Sequence, residues 1–235
     1  MRKMTYAAGA LSLAATLAFA APAQAGDWHH DHDPALLSVL HGVPGLTVDV
    51  WVNGNLTLDD FTPGSLAGPL ELPAGDYQIA ITAADATSAA NPVIGPVNVD
   101  LDEGGNYTAV AHLDAAGTPT ASLFTNDTKA PRNDEKGKLT VRHVAAAPAV
   151  DVLASGSPVI EGLSNPEEAT LKLKAGTISA SVAATGTTAP VIGPADITVE
   201  AGKNTIVYAW GSLADNNLNV AVQVVDGQDR WHGRH

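Results

Sequence analysis

Ser38 to Val50 reads SVLHGVPGLTVDV, and about a hundred residues later Thr140 to Val152 reads TVRHVAAAPAVDV. ELPAGDYQIAI (Glu71 to Ile81) likewise returns as KLKAGTISASV (Lys172 to Val182), and PVIGP (Pro92 to Pro96) returns unchanged at Pro190 to Pro194. A unit of this length can close a core of its own, so the chain carries two copies of a whole domain rather than the short units of a solenoid. Each copy has the pattern of strands. Thr47-Val48-Asp49-Val50-Trp51-Val52 alternates polar and apolar residues and runs into Asn53-Gly54, a pair that between alternating runs signals a hairpin. Copy two puts Ala154-Ser155-Gly156-Ser157 at that turn. Gly75 and Gly176 precede equivalent strands in the two copies, which predicts a turn with positive φ at both. About seven short strands per copy, spaced by such turns, predict an all-β chain of two tandem immunoglobulin-like antiparallel β-sandwich domains. The expected divisions are a signal peptide over 1–25, a His/Asp-rich tail over 26–35, repeat one over 36–127, a charged linker over 128–138, repeat two over 139–227 and a C-terminal tail over 228–235.

The run S-V-L-H-G-V-P-G-L-T-V-D-V-W-V-N-G, the L-P-A-G-D-Y turn and the later G-N-Y-T-A-V-A strand resemble the DUF4397 domain, a domain of unknown function of bacterial extracytoplasmic proteins. His41, Pro44, Asp49, Val50, Asn53 and Gly54 carry the likeness in copy one. In copy two His143, Asp151 and Val152 keep it, while Ala146 stands in place of the proline. The resemblance implies export and a β-sandwich, and it brings no active-site residues.

The ends and the composition bound the setting. Met1-Arg2-Lys3 is a short basic start, Tyr6 to Ala20 an apolar run, and Ala21-Pro22-Ala23-Gln24-Ala25 a small-residue ending. That is the form of a secretory leader cleaved after Ala25, and the apolar run is shorter than the roughly 20 residues that span a bilayer. An extracellular or cell-wall-associated protein with no transmembrane anchor is therefore expected. There is no cysteine, so core burial rather than disulfides has to hold the exported chain together. Acidic residues number 25 against 12 basic ones, of which Arg2 and Lys3 lie in the leader. That balance argues against nucleic acid and anionic membrane surfaces as partners, because both need a basic face.

Histidine is distributed oddly. His29, His30 and His32 stand among aspartates near the start of the expected mature chain, and His232 and His235 close it. Short His/Asp tracts bind Zn²⁺, Cu²⁺ or Ni²⁺ through imidazole nitrogens, so these five residues are the candidate metal ligands; the competing reading is a pair of solvated tails. No other cofactor is expected. His41 and His143 recur at equivalent places, which favours a ring nitrogen bonded to a nearby backbone carbonyl over a ligand or proton carrier. Asp100-Leu101-Asp102-Glu103-Gly104-Gly105-Asn106 suggests a Ca²⁺ loop, but its spacing departs from the EF-hand pattern and a β-turn explains it. Asp49 and Asp151 look like catalytic carboxylates, yet alternation places each on the solvated face, and in separate domains they could not share one pocket. Trp51 and Trp210 read as packing residues, with stacking on a sugar ring as the alternative. No nucleophile, metalloprotease or phosphate-loop motif occurs, so no enzyme is expected.

The reading is a secreted, non-enzymatic binding or structural protein of the cell envelope, a monomer with a protein or glycan partner. The alternative is an exported metal-binding protein that uses its tails. Residues held in both copies serve the shared fold, and what is unrepeated lies mostly outside the domains, in the two His-bearing tails, which is where a specific activity is expected.

Overall fold

In the computed structural model, which describes residues 33–228, each repeat forms eight strands. Copy one consists of β1 (Ala35–His41), β2 (Val48–Val52), β3 (Asn55–Phe61), β4 (Leu66–Leu72), β5 (Gly75–Ala83), β6 (Ile94–Leu101), β7 (Asn106–Leu113) and β8 (Pro119–Thr125). Copy two repeats the order with β9 (Lys136–Ala146), β10 (Val150–Ala154), β11 (Ser157–Leu163), β12 (Glu168–Lys174), β13 (Gly176–Ala184), β14 (Pro190–Val199), β15 (Asn204–Ser212) and β16 (Asn219–Val225). The sheets are β4-β1-β7-β8 and β3-β2-β5-β6 in copy one, and β12-β9-β15-β16 and β11-β10-β13-β14 in copy two. The all-β, two-sandwich architecture follows the sequence. One feature departs from the antiparallel expectation: β1 lies parallel to β7, and β9 to β15. The chain visits the opposite sheet between those strands, and such a long crossover is what a parallel pair requires. No helix among the described residues is long and apolar enough to cross a membrane.

The turns explain which residues the repeat preserves. Asn53 and Gly54 have φ of 50° and 76°, and Ser155 and Gly156 have 49° and 83°, so the serine holds the same two-residue turn as the asparagine. Gly75 and Gly176 have the expected positive φ, 142° and 148°. The unchanged PVIGP has a steric cause. Gly95 and Gly193 sit at φ 89° and 83°, and a Cβ there would lie 2.8 Å from the Ile79 carbonyl oxygen and 2.9 Å from that of Ala180. Only glycine fits where the strand register shifts beside β5 and β13. The linker is shorter than its composition suggests. Lys136 to Lys138 belong to β9, paired with Lys174 to Lys172 of β12, because strand partners outweigh the polarity of the segment.

Each sandwich has its own core, built around Leu37, Val39, Val50, Ile81 and Leu101 in copy one and Leu139, Val141, Val152, Val182 and Val199 in copy two. A third apolar cluster joins them. Leu40, Val110 and Phe124 of copy one meet Val144, Ile206, Tyr208, Trp210 and Val225 of copy two, so sheet β4-β1-β7-β8 packs on sheet β12-β9-β15-β16 and the repeats stack four layers deep. Burying each large apolar side chain there is worth about 1.5–3 kcal/mol.

Candidate functional site at the seam between the repeats

The strands of the seam alternate, with one set of side chains entering their own sandwich and the other set facing the neighbouring repeat. On β9, Leu139 and Val141 point into the core of copy two, which leaves Thr140 and Arg142 on the opposite face. Both are nevertheless buried, and Arg142 is the largest fully buried side chain of the described residues. Its Nε donates to Glu168 Oε2 at 2.7 Å, and its Nη1 donates to the Tyr208 hydroxyl at 2.8 Å and, across the seam, to Asn126 Oδ1 at 2.9 Å. The guanidinium carbon lies 4.4 Å from the ring centre of Phe124 in copy one and 5.3 Å from that of Tyr208, so aromatic faces replace part of the water the cation has lost. Tyr208 donates in turn to Gln223 Oε1 at 2.6 Å, and burial holds its phenol above the ordinary value. Thr108 of copy one donates to the same oxygen at 3.0 Å, and Gln223 Nε2 donates back to Ser38 Oγ at 3.1 Å. The polar groups of Arg142, Tyr208, Gln223 and Thr108 are satisfied as one network, the condition for burying them at tolerable cost, while Trp210 Nε1 and Asn165 Oδ1 at the end of the seam are buried without a hydrogen-bond partner among the described residues.

Two further contacts close the ends of the seam. At one end, Trp210 lies on Gly42 and Gly64 of copy one, and a Cβ on Gly64 would come within 2.9 Å of its ring. Beside it Asn165 Nδ2 donates to the carbonyls of Leu113 at 2.8 Å and Ala145 at 2.7 Å, one in each repeat. At the other end Lys138 forms an ion pair with Asp127. Burial by itself would raise the Asp127 carboxyl, but the bonds from Lys138 and the Lys129 amide outweigh it and hold the group below its usual range.

The residues that build this network are not shared between the copies. Arg142 stands where copy one has Leu40, Tyr208 where it has Val110, and Trp210 where it has His112; by strand register Gln223 takes the place of Phe124. The two faces are complementary rather than alike. This corrects the expectation that unrepeated character concentrates in the tails. Composition missed it because alternation shows only that Arg142 leaves its own core; the signal that could have found it is an arginine at an otherwise apolar repeated position.

The repeated candidates serve their own sandwiches. His41 Nε2 donates to the Leu46 carbonyl at 2.6 Å, and His143 Nε2 to the equivalent Pro148 carbonyl at 3.0 Å. Both rings are held below the ordinary histidine value, by burial first, with the carbonyl bond opposing it. That is the structural role expected of them. Asp49 and Asp151 are not on a solvated face: they are 1% and 5% exposed. The neighbouring strand and a loop close over each of them, and their oxygens accept from the amides of Asp60 on β3 (3.1 Å) and Ala86 (3.3 Å) in copy one and of Gly162 on β11 and Gly186 (both 2.8 Å) in copy two. Strand alternation cannot see a covering loop. The carboxylates of Asp49, Asp59 and Asp60 are the one group among the described residues close enough to share a metal ion, yet Asp49 already accepts two amides and copy two has Gly162 in place of Asp60. The acidic stretch from Asp100 is a β-turn, with the Gly105 amide donating to the Asp102 carbonyl at 3.0 Å. Trp51 and Trp210 are both buried, the former donating to Thr82 Oγ1 at 2.9 Å, so neither ring faces solvent to stack on a sugar. His29, His30, His32, His232 and His235 lie outside the described residues.

A family model described as "Domain of unknown function (DUF4397)" matches residues 35–153 and again 144–231. No curated protein matches the sequence. With a strand order, a buried V-D-V aspartate and a histidine-to-carbonyl bond common to both repeats, the chain belongs to the DUF4397 family, whose domain it carries twice.

Proposed function

We propose that this chain is an exported, non-enzymatic protein of the cell envelope, acting as a binding or structural part, in which two family domains are locked into a single platform. The observation that supports the platform is the seam: its buried network ties β1, β7 and Asn126 of copy one to β9 and β16 of copy two. Export rests on the leader-like start of the sequence and on the cysteine-free, acidic composition. The non-enzymatic reading rests on the internal titratable groups, since His41, His143, Asp49 and Asp151 are all engaged with backbone. The full chain expressed with its leader should be recovered outside the cytoplasm with Gly26 as its first residue, and the mature protein should retain a partner from solubilised envelope. Intact leader on a cytoplasmic product would overturn the proposal, as would turnover by the purified protein of a substrate drawn from that fraction.

A second reading is favoured by the histidine distribution. His41, His112 and His143 are buried in the sandwiches, so the other five of the chain's eight are the ones left for a metal. Calorimetric titration with Zn²⁺ or Cu²⁺ tests it: binding that persists unchanged after removal of residues 26–33 and 231–235 rules the tails out as the site.

A further inference from the structure

Beside the Lys138–Asp127 pair, where the linker meets the start of β9, the chain reverses its overall sign of charge. Lys129, Arg132, Lys136, Lys138 and Lys172 line a cavity of about 520 Å³ with Asp127 as the one carboxylate among them. Lys138 is paired with Asp127, and none of the other four forms an ion pair among the described residues. Glu135 of the same linker turns instead to Lys174, at 4.0 Å. Four cations without an ion pair among the described residues converge here, of which Lys129 is within electrostatic reach of Asp127, in a chain that has 25 acidic and 12 basic residues.

The fold does not ask for them. Pairing of β9 with β12 sets Lys138 directly opposite Lys172 and Lys136 opposite Lys174, and like charges so placed destabilise a ladder. The other repeat supplies the control. Its equivalent pair is Leu36 opposite Glu71, and the cavity beside that pair, about 680 Å³ and lined by Asp33, Glu71 and Glu103, shares with the first only the places of Lys136 and Lys172, which Pro34 and Glu71 hold in copy one. At those two places copy two carries lysines where copy one has a proline and a carboxylate. A local arrangement that works against its own strand pairing, and that the homologous site lacks, marks function rather than folding.

We propose that the cavity between the linker and β9–β12 binds a multivalent oxyanion of the phosphate type. Its volume falls within the roughly 300–1,000 Å³ of small-ligand sites, which leaves room for linked phosphate groups. Arg132 offers a planar fork that can bind two oxygens at once, and Lys129, Lys136 and Lys172 offer point charges around it. The phosphates belong either to a free polyphosphate or to a phosphodiester polymer of the envelope. The site stands on the cavity alone and does not depend on where the protein resides.

Calorimetry of the mature full chain at low salt, with sodium tripolyphosphate in one arm and a glycerol phosphate oligomer in the other, tests this. Binding is expected in at least one arm, which identifies the source, and it should weaken as salt shortens the screening length. The triple variant Lys129→Gln, Arg132→Gln, Lys172→Gln should bind about tenfold more weakly or worse. The charge-preserving pair Lys129→Arg, Lys172→Arg should bind like the parent, as should Glu71→Gln in the other cavity. All of these side chains except Glu71 stand on the linker or on exposed positions of β12, and matching circular dichroism will show that the variants fold. The proposal is overturned if neither ligand binds at millimolar concentration, or if the triple variant binds as the parent does.

Discussion

Arg142 is the residue on which the joint between the repeats turns. A guanidinium only 1% exposed is tolerated because Glu168, Tyr208 and Asn126 accept from it and two rings face it. Replacing it by leucine, the residue copy one has at that place, strands those acceptors. Arg142→Leu is therefore expected to cost about 2–4 kcal/mol in denaturant unfolding. Tyr208→Phe keeps the ring against the cation and should lose only about 1 kcal/mol; equal losses would show that the hydroxyl and not the charge holds the network. Trp210 should be sensitive to its seat on copy one. Gly64→Val, at φ 81° and pressed on the ring, is expected to cost about 1–3 kcal/mol and to shift tryptophan emission to the red. The sequence made none of these partners visible, since a lone arginine on the outer face of a strand ordinarily reads as solvated.

Among elements, the hairpins and their turns were the most legible. Asn53-Gly54, Gly75 and Gly176 announce their conformations because backbone sterics act within a few residues. The glycine of PVIGP belongs with them only in part, because its positive φ is local but the carbonyl that would meet its Cβ comes from the neighbouring strand. Gly193→Ala is expected to destabilise copy two by about 1–3 kcal/mol, and unfolding unchanged from the parent would contradict the close approach. The loops over β2 and β10 depend on the V-D-V aspartates. Asp151→Asn keeps one carbonyl oxygen where the carboxylate offers two, so hydrogen exchange should quicken at the amides of Gly162 on β11 and Gly186 in the loop after β13 and stay unchanged at Asp60 and Ala86 of copy one. Uniform exchange in both repeats would mean that the carboxylate does not tie the loops down. The parallel pairing of β1 with β7 and β9 with β15 was not legible, for strand patterning carries no direction.

At the scale of the whole molecule, the seam should make the two repeats melt together. Interfaces between domains of one chain usually allow independent motion unless they are large and apolar; here an apolar cluster and a buried network cross the boundary. Calorimetry of the parent should show one transition, and Arg142→Leu combined with Trp210→Ala should split it into two. Stability should also depend on pH through histidine. His41, His112 and His143 all titrate below the ordinary 6.5, chiefly because they are buried. On acidification the unfolded chain therefore takes up protons near 6.5 before the folded one does. The contribution of these rings is complete above that value and declines as pH falls from it toward their lower folded values. Melting should occur at a lower temperature at about pH 5 than at about pH 7.5, and a melting temperature constant over that interval would show that the rings are accessible to protons. By itself the sequence determined the two copies, their strands, their turns and the structural part of His41 and His143, since periodicity and backbone sterics act over short distances and a repeat supplies its own comparison. Only the tertiary structure decided what covers the outer face of each strand: a neighbouring strand and a loop over Asp49 and Asp151, the other repeat over Arg142 and Trp210, and open space beside the lysines of β9 and β12. Alternation tells which side chains leave their own core, while the neighbour that receives them is set by packing between parts of the chain far apart in sequence.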